Sequence, residues 1–233
     1  MAAWDRVRSQ EPALLEWIAR AQRIGLIGPG EPSHHLAGTE RFVDGVGAIA
    51  GRSGGAESLR VLDLGTGGGL PGLIVATAWP AHAVTLLDAK ERSIDALRGA
   101  LVELGPAIPT STSLVCGRAE DLARDPALRS RFDLVLSQAF GPPAVVAECG
   151  AGFLKVGGTI LVSDPPDATA DRWPTSGLER LGLAPPELAP PEDVSDDDWA
   201  PEHELTALRK VSPTPDVYPR RPGIPSRRPL FGS

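Results

Sequence analysis

The chain of 233 residues has 42% hydrophobic and 23% charged residues, a length and balance that fit one compact domain with an extra arm and exclude a disordered or collagen-like polymer. A net charge of −7 excludes a uniformly basic nucleic-acid binder, and no run approaches the roughly 18–20 apolar residues of a membrane span, so a soluble, cytoplasmic protein is expected. Cys116 and Cys149 are the only cysteines, too few for a disulfide framework or a zinc site, and no metal is expected.

Pro12 at a first helical position, followed by Leu14, Leu15, Trp17, Ile18, Ala21 and Ile24 at three- and four-residue spacing, predicts an amphipathic helix over 11–24 that Gly25 stops. Gly28-Pro29-Gly30 breaks the chain, and Phe42, Val43, Val46 and Ile49 mark a second helix before the glycine-rich linker at 51–55. Together these make an N-terminal helical cap, residues 1–58. From Arg60 the pattern changes to short β-branched or leucine-rich runs at 60–64, 83–88, 112–116, 132–137 and 159–163, separated by helical stretches at 70–78, 90–104, 119–124 and 143–152. Such alternation is the signature of βαβ units. A further strand is expected at 203–211 and another within 178–188. The predicted fold is therefore α/β, a doubly wound, mostly parallel, seven-stranded Rossmann-like sheet over 59–215 with the small helical cap. Residues 164–202 carry many prolines, which block long helices, and read as an extended, solvated connection. Acidic residues crowd 164–215, whereas the tail 216–233 holds Arg220, Arg221, Arg227 and Arg228 against Asp216 alone.

The chemistry lies at the strand ends. In a doubly wound sheet the ligand sits beyond the carboxyl ends of the strands, where the first turn must let backbone approach it. Here that turn is Asp63-Leu64-Gly65-Thr66-Gly67-Gly68-Gly69-Leu70-Pro71-Gly72. Counted from Gly67, the spacing also fits a dinucleotide fingerprint, because position 72 is glycine. Asp63 favours a different ligand: it would repel a pyrophosphate, but not a sulfonium that carries an α-ammonium group. The form D-x-G-x-G-x-G matches methyltransferases that use S-adenosylmethionine. Asp88 closes the second strand, where a carboxylate can accept hydrogen bonds from both ribose hydroxyls. The alternative for both acids is helix capping or a surface turn. Ala119 and Glu120 follow the third strand in a loop able to meet an adenine edge, or else simply begin a helix. Gln138 ends the fourth strand, either at the active mouth or as an exposed turn residue. His34-His35 reads as a helix-start or surface pair, and Asp196-Asp197-Asp198 as a solvated acidic loop, since no EF-hand spacing surrounds it.

Taken together, the turn at 63–72 with its Leu70-Pro71-Gly72 ending, the segment 117–120 and the tail at 218–230 resemble the ribosomal RNA small subunit methyltransferase G family, also called glucose-inhibited division protein B. Gly25-Leu26-Ile27-Gly28-Pro29 resembles a segment of some members. The resemblance implies methyl transfer from S-adenosylmethionine to N7 of a guanine in 16S ribosomal RNA, with the small ribosomal subunit or its RNA as partner. By motif position it places Gly65, Leu70, Ala119, Glu120 and Gln138 at the cofactor, with Gln138 as the positioning residue; the reading of the turn and strand ends adds Asp63, Thr66, Gly67, Gly69 and Asp88. Arg220, Arg221, Arg227 and Arg228 would meet RNA phosphates, the alternative being that they fold back on the acidic stretch at 187–204 or are simply solvated. Guanine N7 is an unprotonated acceptor, so no general base is required. The family pattern has arginine where this chain has Gln138, and the Asn-Leu-Thr and Arg-His motifs common in its N-terminal region are replaced here by a stretch with only His34, His35 and Arg41. These departures keep two other readings open, a small-molecule methyltransferase and a non-catalytic S-adenosylmethionine-binding module in ribosome assembly, with a nicotinamide oxidoreductase as an outsider. A monomer without metal is expected.

Overall fold

A computed structural model describes residues 2–52, 58–165, 169–186 and 205–232. The chain forms two compact units, residues 1–117 and 118–233.

The first unit opens with α1 (Ala3–Arg23), α2 (Pro32–Ala37) and α3 (Glu40–Arg52). Helix α1 begins two turns before the sequence predicts, with Pro12 inside it. A proline there forfeits one backbone hydrogen bond. Tertiary contacts offset the loss: Val7 is buried, the Trp4 indole donates to Asp44, and Arg6 Nη1 donates to the Ala78 carbonyl at 3.1 Å. Its buried face is Val7, Leu14, Trp17, Ile18 and Ala21, whereas Ile24 is exposed. Next come β1 (Arg60–Leu64), α4 (Gly72–Ala78), β2 (Ala83–Asp88), α5 (Glu91–Leu104) and β3 (Ser113–Cys116). Strand β2 pairs in parallel with β1 on one side and β3 on the other, with Asp63 opposite Leu86 and Asp88 opposite Cys116. Every residue of α4 is buried, as expected of a helix that is apolar all round.

The second unit contains α6 (Ala119–Leu122), β4 (Phe132–Ser137), α7 (Pro143–Phe153), β5 (Leu154–Ser163), α8 (Thr175–Glu179), β6 (Leu205–Arg209) and α9 (Ile224–Arg227). Strand β5 runs parallel to β4 and antiparallel to β6. Phe132 and Phe153 pack edge to face, ring centroids 6.1 Å apart, a preferred aromatic geometry.

The described residues form six strands of a mostly parallel sheet, not seven. The strand expected within 178–188 is absent as far as residue 186: helix α8 precedes it and Leu183 makes only an isolated bridge to Lys210. Nor is the described part of the proline-rich connection solvated throughout. Trp173, Leu178, Leu181 and Leu183 are buried, and Asp164 Oδ2 accepts hydrogen bonds from Trp173 Nε1 (2.7 Å) and Thr206 Oγ1 (2.6 Å). Its remaining part, with Asp196-Asp197-Asp198, lies outside the described residues, as does most of the 51–55 linker.

Candidate active site

In the first unit, β1 delivers the chain into the glycine-rich turn and β2 receives it. The Gly65 and Thr66 N–H groups both donate to the Leu87 carbonyl at 2.9 Å, and the Gly67 N–H donates to Asp88 Oδ2 at 2.9 Å. The other Asp88 oxygen accepts from the Lys90 N–H at 2.8 Å, which fixes the start of α5. Asp63 Oδ2 takes the Thr66 hydroxyl at 2.6 Å and the Gly72 N–H at 2.9 Å, so it joins both ends of the turn. Gly67 and Gly69 have φ of 54° and 96°, a region that side chains with a Cβ rarely enter. A Cβ on Gly72 would lie 2.6 Å from Asp63 Oδ2. That position is held to glycine by the carboxylate it serves and by the still nearer Leu86 side chain.

Asp63 is 1% exposed, and its carboxyl is pushed up to about 6, chiefly by burial, against the lowering effect of the Thr66 and Gly72 bonds, with the Asp88 charge adding a further rise. It faces the turn, as the sequence suggests, but it caps and closes that turn from inside. Asp88 is 8% exposed, and a carboxylate has about four acceptor sites, so its two backbone bonds leave capacity for a ligand's hydroxyls. Leu70 is half-buried. The structure thus brings Asp63, Gly65, Thr66, Gly67, Gly69 and Asp88 into one hydrogen-bonded network with Leu70 on the same turn. Sequence reasoning missed one further member: the Trp17 indole of α1 donates to the Gly68 carbonyl at 2.8 Å. A tryptophan on the buried face of a helix predicted to cover the sheet was the available signal.

In the second unit, Ala119 and Glu120 open α6, and both are 4% exposed. Burial alone would raise the Glu120 carboxyl. Bonds from the Gly223 N–H (2.9 Å), its own backbone and Arg118 (3.0 Å) outweigh burial and hold it below the usual range. Gln138 follows β4 half-buried; its Oε1 and the Ser137 Oγ are enclosed without a hydrogen-bond partner, and Ala139 has a φ of 55°. Unsatisfied buried polar atoms cost free energy, and strained backbone concentrates at functional sites. This strand end has the open acceptor that a bound polar ligand would satisfy. Of the tail arginines, Arg221, Arg227 and Arg228 are exposed, while Arg220 is turned inward onto Glu148 of α7. Glu148 was legible only as the single acid in an otherwise apolar helix. Among the described residues no group of three or more His, Cys, Asp or Glu side chains is placed to hold a metal, and no helix is long and apolar enough to cross a membrane.

Solved structures with this fold include MtNAS in complex with MTA and tNA (TM-score 0.53, 14% identity, covering 84% of this chain and 70% of that one). Another is described as a predicted O-methyltransferase from Agrobacterium tumefaciens (TM-score 0.51, 20% identity, 71% and 81% covered). These likenesses show the fold, an α/β sheet with a glycine-rich turn after its first strand; the sequence comparisons make the chain a class I methyltransferase, an enzyme that uses S-adenosylmethionine. The sequence profile of the family described as rRNA small subunit methyltransferase G matches residues 14–164. Ribosomal RNA small subunit methyltransferase G of Dictyoglomus thermophilum is 30% identical over 222 residues, covering 94% of this chain and 86% of its own. The protein of that name from Symbiobacterium thermophilum is 33% identical over 224 residues, covering 92% and 85%. The chain belongs to the rRNA small subunit methyltransferase G family.

Proposed function

We propose that the protein methylates N7 of a guanine in 16S ribosomal RNA, as a monomeric cytoplasmic enzyme that acts on the small ribosomal subunit or its RNA. In this reading residues 1–58 are the cap, 59–215 the cofactor-binding domain and 216–233 the RNA-facing tail. The observation that carries it is the closed turn, in which Asp63 and Asp88 order three backbone N–H groups and the Thr66 hydroxyl around a bare-backbone bend; family membership supports the RNA acceptor.

S-adenosylmethionine supplies an electrophilic methyl group on a sulfonium. Asp88 offers its remaining acceptor sites to ribose hydroxyls, and such charge-assisted bonds contribute about 1.5–3 kcal/mol each. Asp63 acts mainly through the turn, holding Gly65, Thr66, Gly67, Gly69 and Leu70 where backbone can approach the ligand. Ala119 and Glu120 meet the adenine. Gln138, in place of the family's arginine, offers a neutral amide whose unpartnered oxygen accepts a hydrogen bond from cofactor or target base. Guanine N7 has no proton to lose, so the residues need only align acceptor, methyl and sulfur, an effect for which effective molarities of about 10⁵–10⁸ M are attainable.

Incubation with labelled S-adenosylmethionine and either purified small subunits or their naked RNA tests the proposal. Label in the RNA at guanine N7 is the expected result, and no incorporation into either substrate refutes it. Replacing Asp88 with Ala should weaken S-adenosylhomocysteine binding by on the order of 2–4 kcal/mol, and unchanged affinity in calorimetry removes Asp88 from the site.

A further inference from the structure

The C-terminal segment is fastened by buried acids and by arginines of the loop after α6. Glu148, 0% exposed, accepts four hydrogen bonds from Arg220: the main-chain N–H to Oε1 at 2.7 Å, Nε to Oε1 at 2.9 Å and to Oε2 at 3.2 Å, and Nη2 to Oε2 at 2.7 Å. Bidentate contacts of this kind fix geometry as well as adding energy. On one side of Arg220, Arg124 holds the Pro219 and Val217 carbonyls at 2.7 and 3.0 Å, and Arg129 holds those of Tyr218 and Thr214 at 3.0 and 2.9 Å. On the other side, Glu120 takes the Gly223 N–H. The backbone that carries Arg221, Arg227 and Arg228 outward is thereby immobilised, and Arg220 itself is committed to Glu148 rather than to solvent.

We propose that Glu148 is a positioning residue for the RNA substrate: by locking Arg220 it sets the register in which Arg221, Arg227 and Arg228 meet phosphates. The inference rests on the RNA-methyltransferase reading above. Phosphate contacts fix the register of a protein on nucleic acid, and a segment ordered before binding loses less conformational freedom on binding. Glu148 never touches RNA in this scheme. Its effect should therefore pass entirely through the three outward arginines.

The test is a cycle of variants of the full-length protein, assayed by methyl incorporation with the concentration of small subunits varied. Glu148→Gln should raise KM for the subunit at least fivefold, leave kcat within about twofold and leave S-adenosylhomocysteine affinity unchanged. Arg220→Lys keeps the charge but loses the fork and should fall between wild type and Glu148→Gln. The triple variant Arg221→Ala, Arg227→Ala, Arg228→Ala should raise KM at least as much. Adding Glu148→Gln to the triple should change KM no further, which a merely structural role would not produce. A normal KM for Glu148→Gln, or a full additive effect on the triple, overturns the inference. If Glu148→Gln loses cofactor binding altogether, the same cycle built on Arg220→Lys decides by the same criterion. A wild-type protein that methylates no small-subunit RNA overturns the function and this inference together, a result distinct from an active wild type with an indifferent Glu148.

Discussion

Asp63 and Glu148 are carboxylates with almost no exposure, 1% and 0%, and their surroundings answer the same desolvation cost in opposite ways. Glu148 meets a guanidinium, with Arg220 gripping both of its oxygens. Asp63 meets only neutral donors, a threonine hydroxyl and a backbone N–H. A buried ion pair loses most when one partner is removed, because the other charge remains without compensation. A carboxylate served by dipoles can shed its charge instead. Glu148→Ala is therefore expected to lower the free energy of unfolding by about 3–5 kcal/mol. Asp63→Ala should cost less, about 1–3 kcal/mol for buried donors left unsatisfied. Urea unfolding at pH 7 reads both, and equal costs would break the contrast between ionic and dipolar compensation.

Lys210 extends the contrast to a cation. It is 1% exposed, and its ammonium donates to the Ala151 and Leu154 carbonyls at 2.8 Å each. Burial, then the nearby Arg129 charge, lowers it from 10.5 to about 8. Between these values the unfolded chain binds more protons than the folded one, so Lys210 makes stability rise with pH across that window, by roughly 3 kcal/mol in full. Asp63 has the opposite sign. Its folded value of about 6 lies above 3.8, so the folded chain holds the extra proton and stability falls as pH rises between the two, again by roughly 3 kcal/mol. Asp63→Asn should gain on wild type as pH rises from 4 to 6.5, and Lys210→Met should lose ground from pH 8 to 10. Flat differences across these windows would show that water reaches both groups.

The same physics decides what could be read in advance. Strands β1, β2 and β4 fall where their apolar runs place them, β3 begins one residue later than expected, and the described residues of β6 lie within the expected 203–211, because strands buried on both faces leave near-continuous apolar runs in the sequence. Helix α1 was cut short at Pro12, since the contacts of Trp4 and Arg6 that outweigh proline are long-range. Strand β5 starts at Leu154, before Gly157 and Gly158, which read as a break. At the site, the glycine spacing is a local pattern and Asp88 stands out as the acid that ends the second apolar run, although its partner Gly67 lies 21 residues earlier. Four arginines looked alike in the tail, yet Arg220 differs from the others only through Glu148, 72 residues earlier. No local pattern encodes that partnership.

The smallest effect expected here concerns Trp17, whose indole bond to the Gly68 carbonyl joins α1 to the turn that Asp63 closes from the other side. Its neighbours already crowd that turn: a Cβ on Gly68 would lie 2.9 Å from Ile27 Cδ1 and 3.2 Å from Ala21 Cβ. Packing alone therefore supports the turn's shape, and the indole adds one hydrogen bond to a buried carbonyl. Trp17→Phe keeps an aromatic ring on the buried face of α1 but removes the donor together with the pyrrole ring. The expected loss is about 1 kcal/mol, seen as roughly fivefold weaker S-adenosylhomocysteine binding in calorimetry, with the pH dependence assigned to Asp63 unchanged. Should Trp17→Phe also shift that pH dependence, the two supports of the turn are coupled, and the proton on Asp63 is set by α1 as well as by burial.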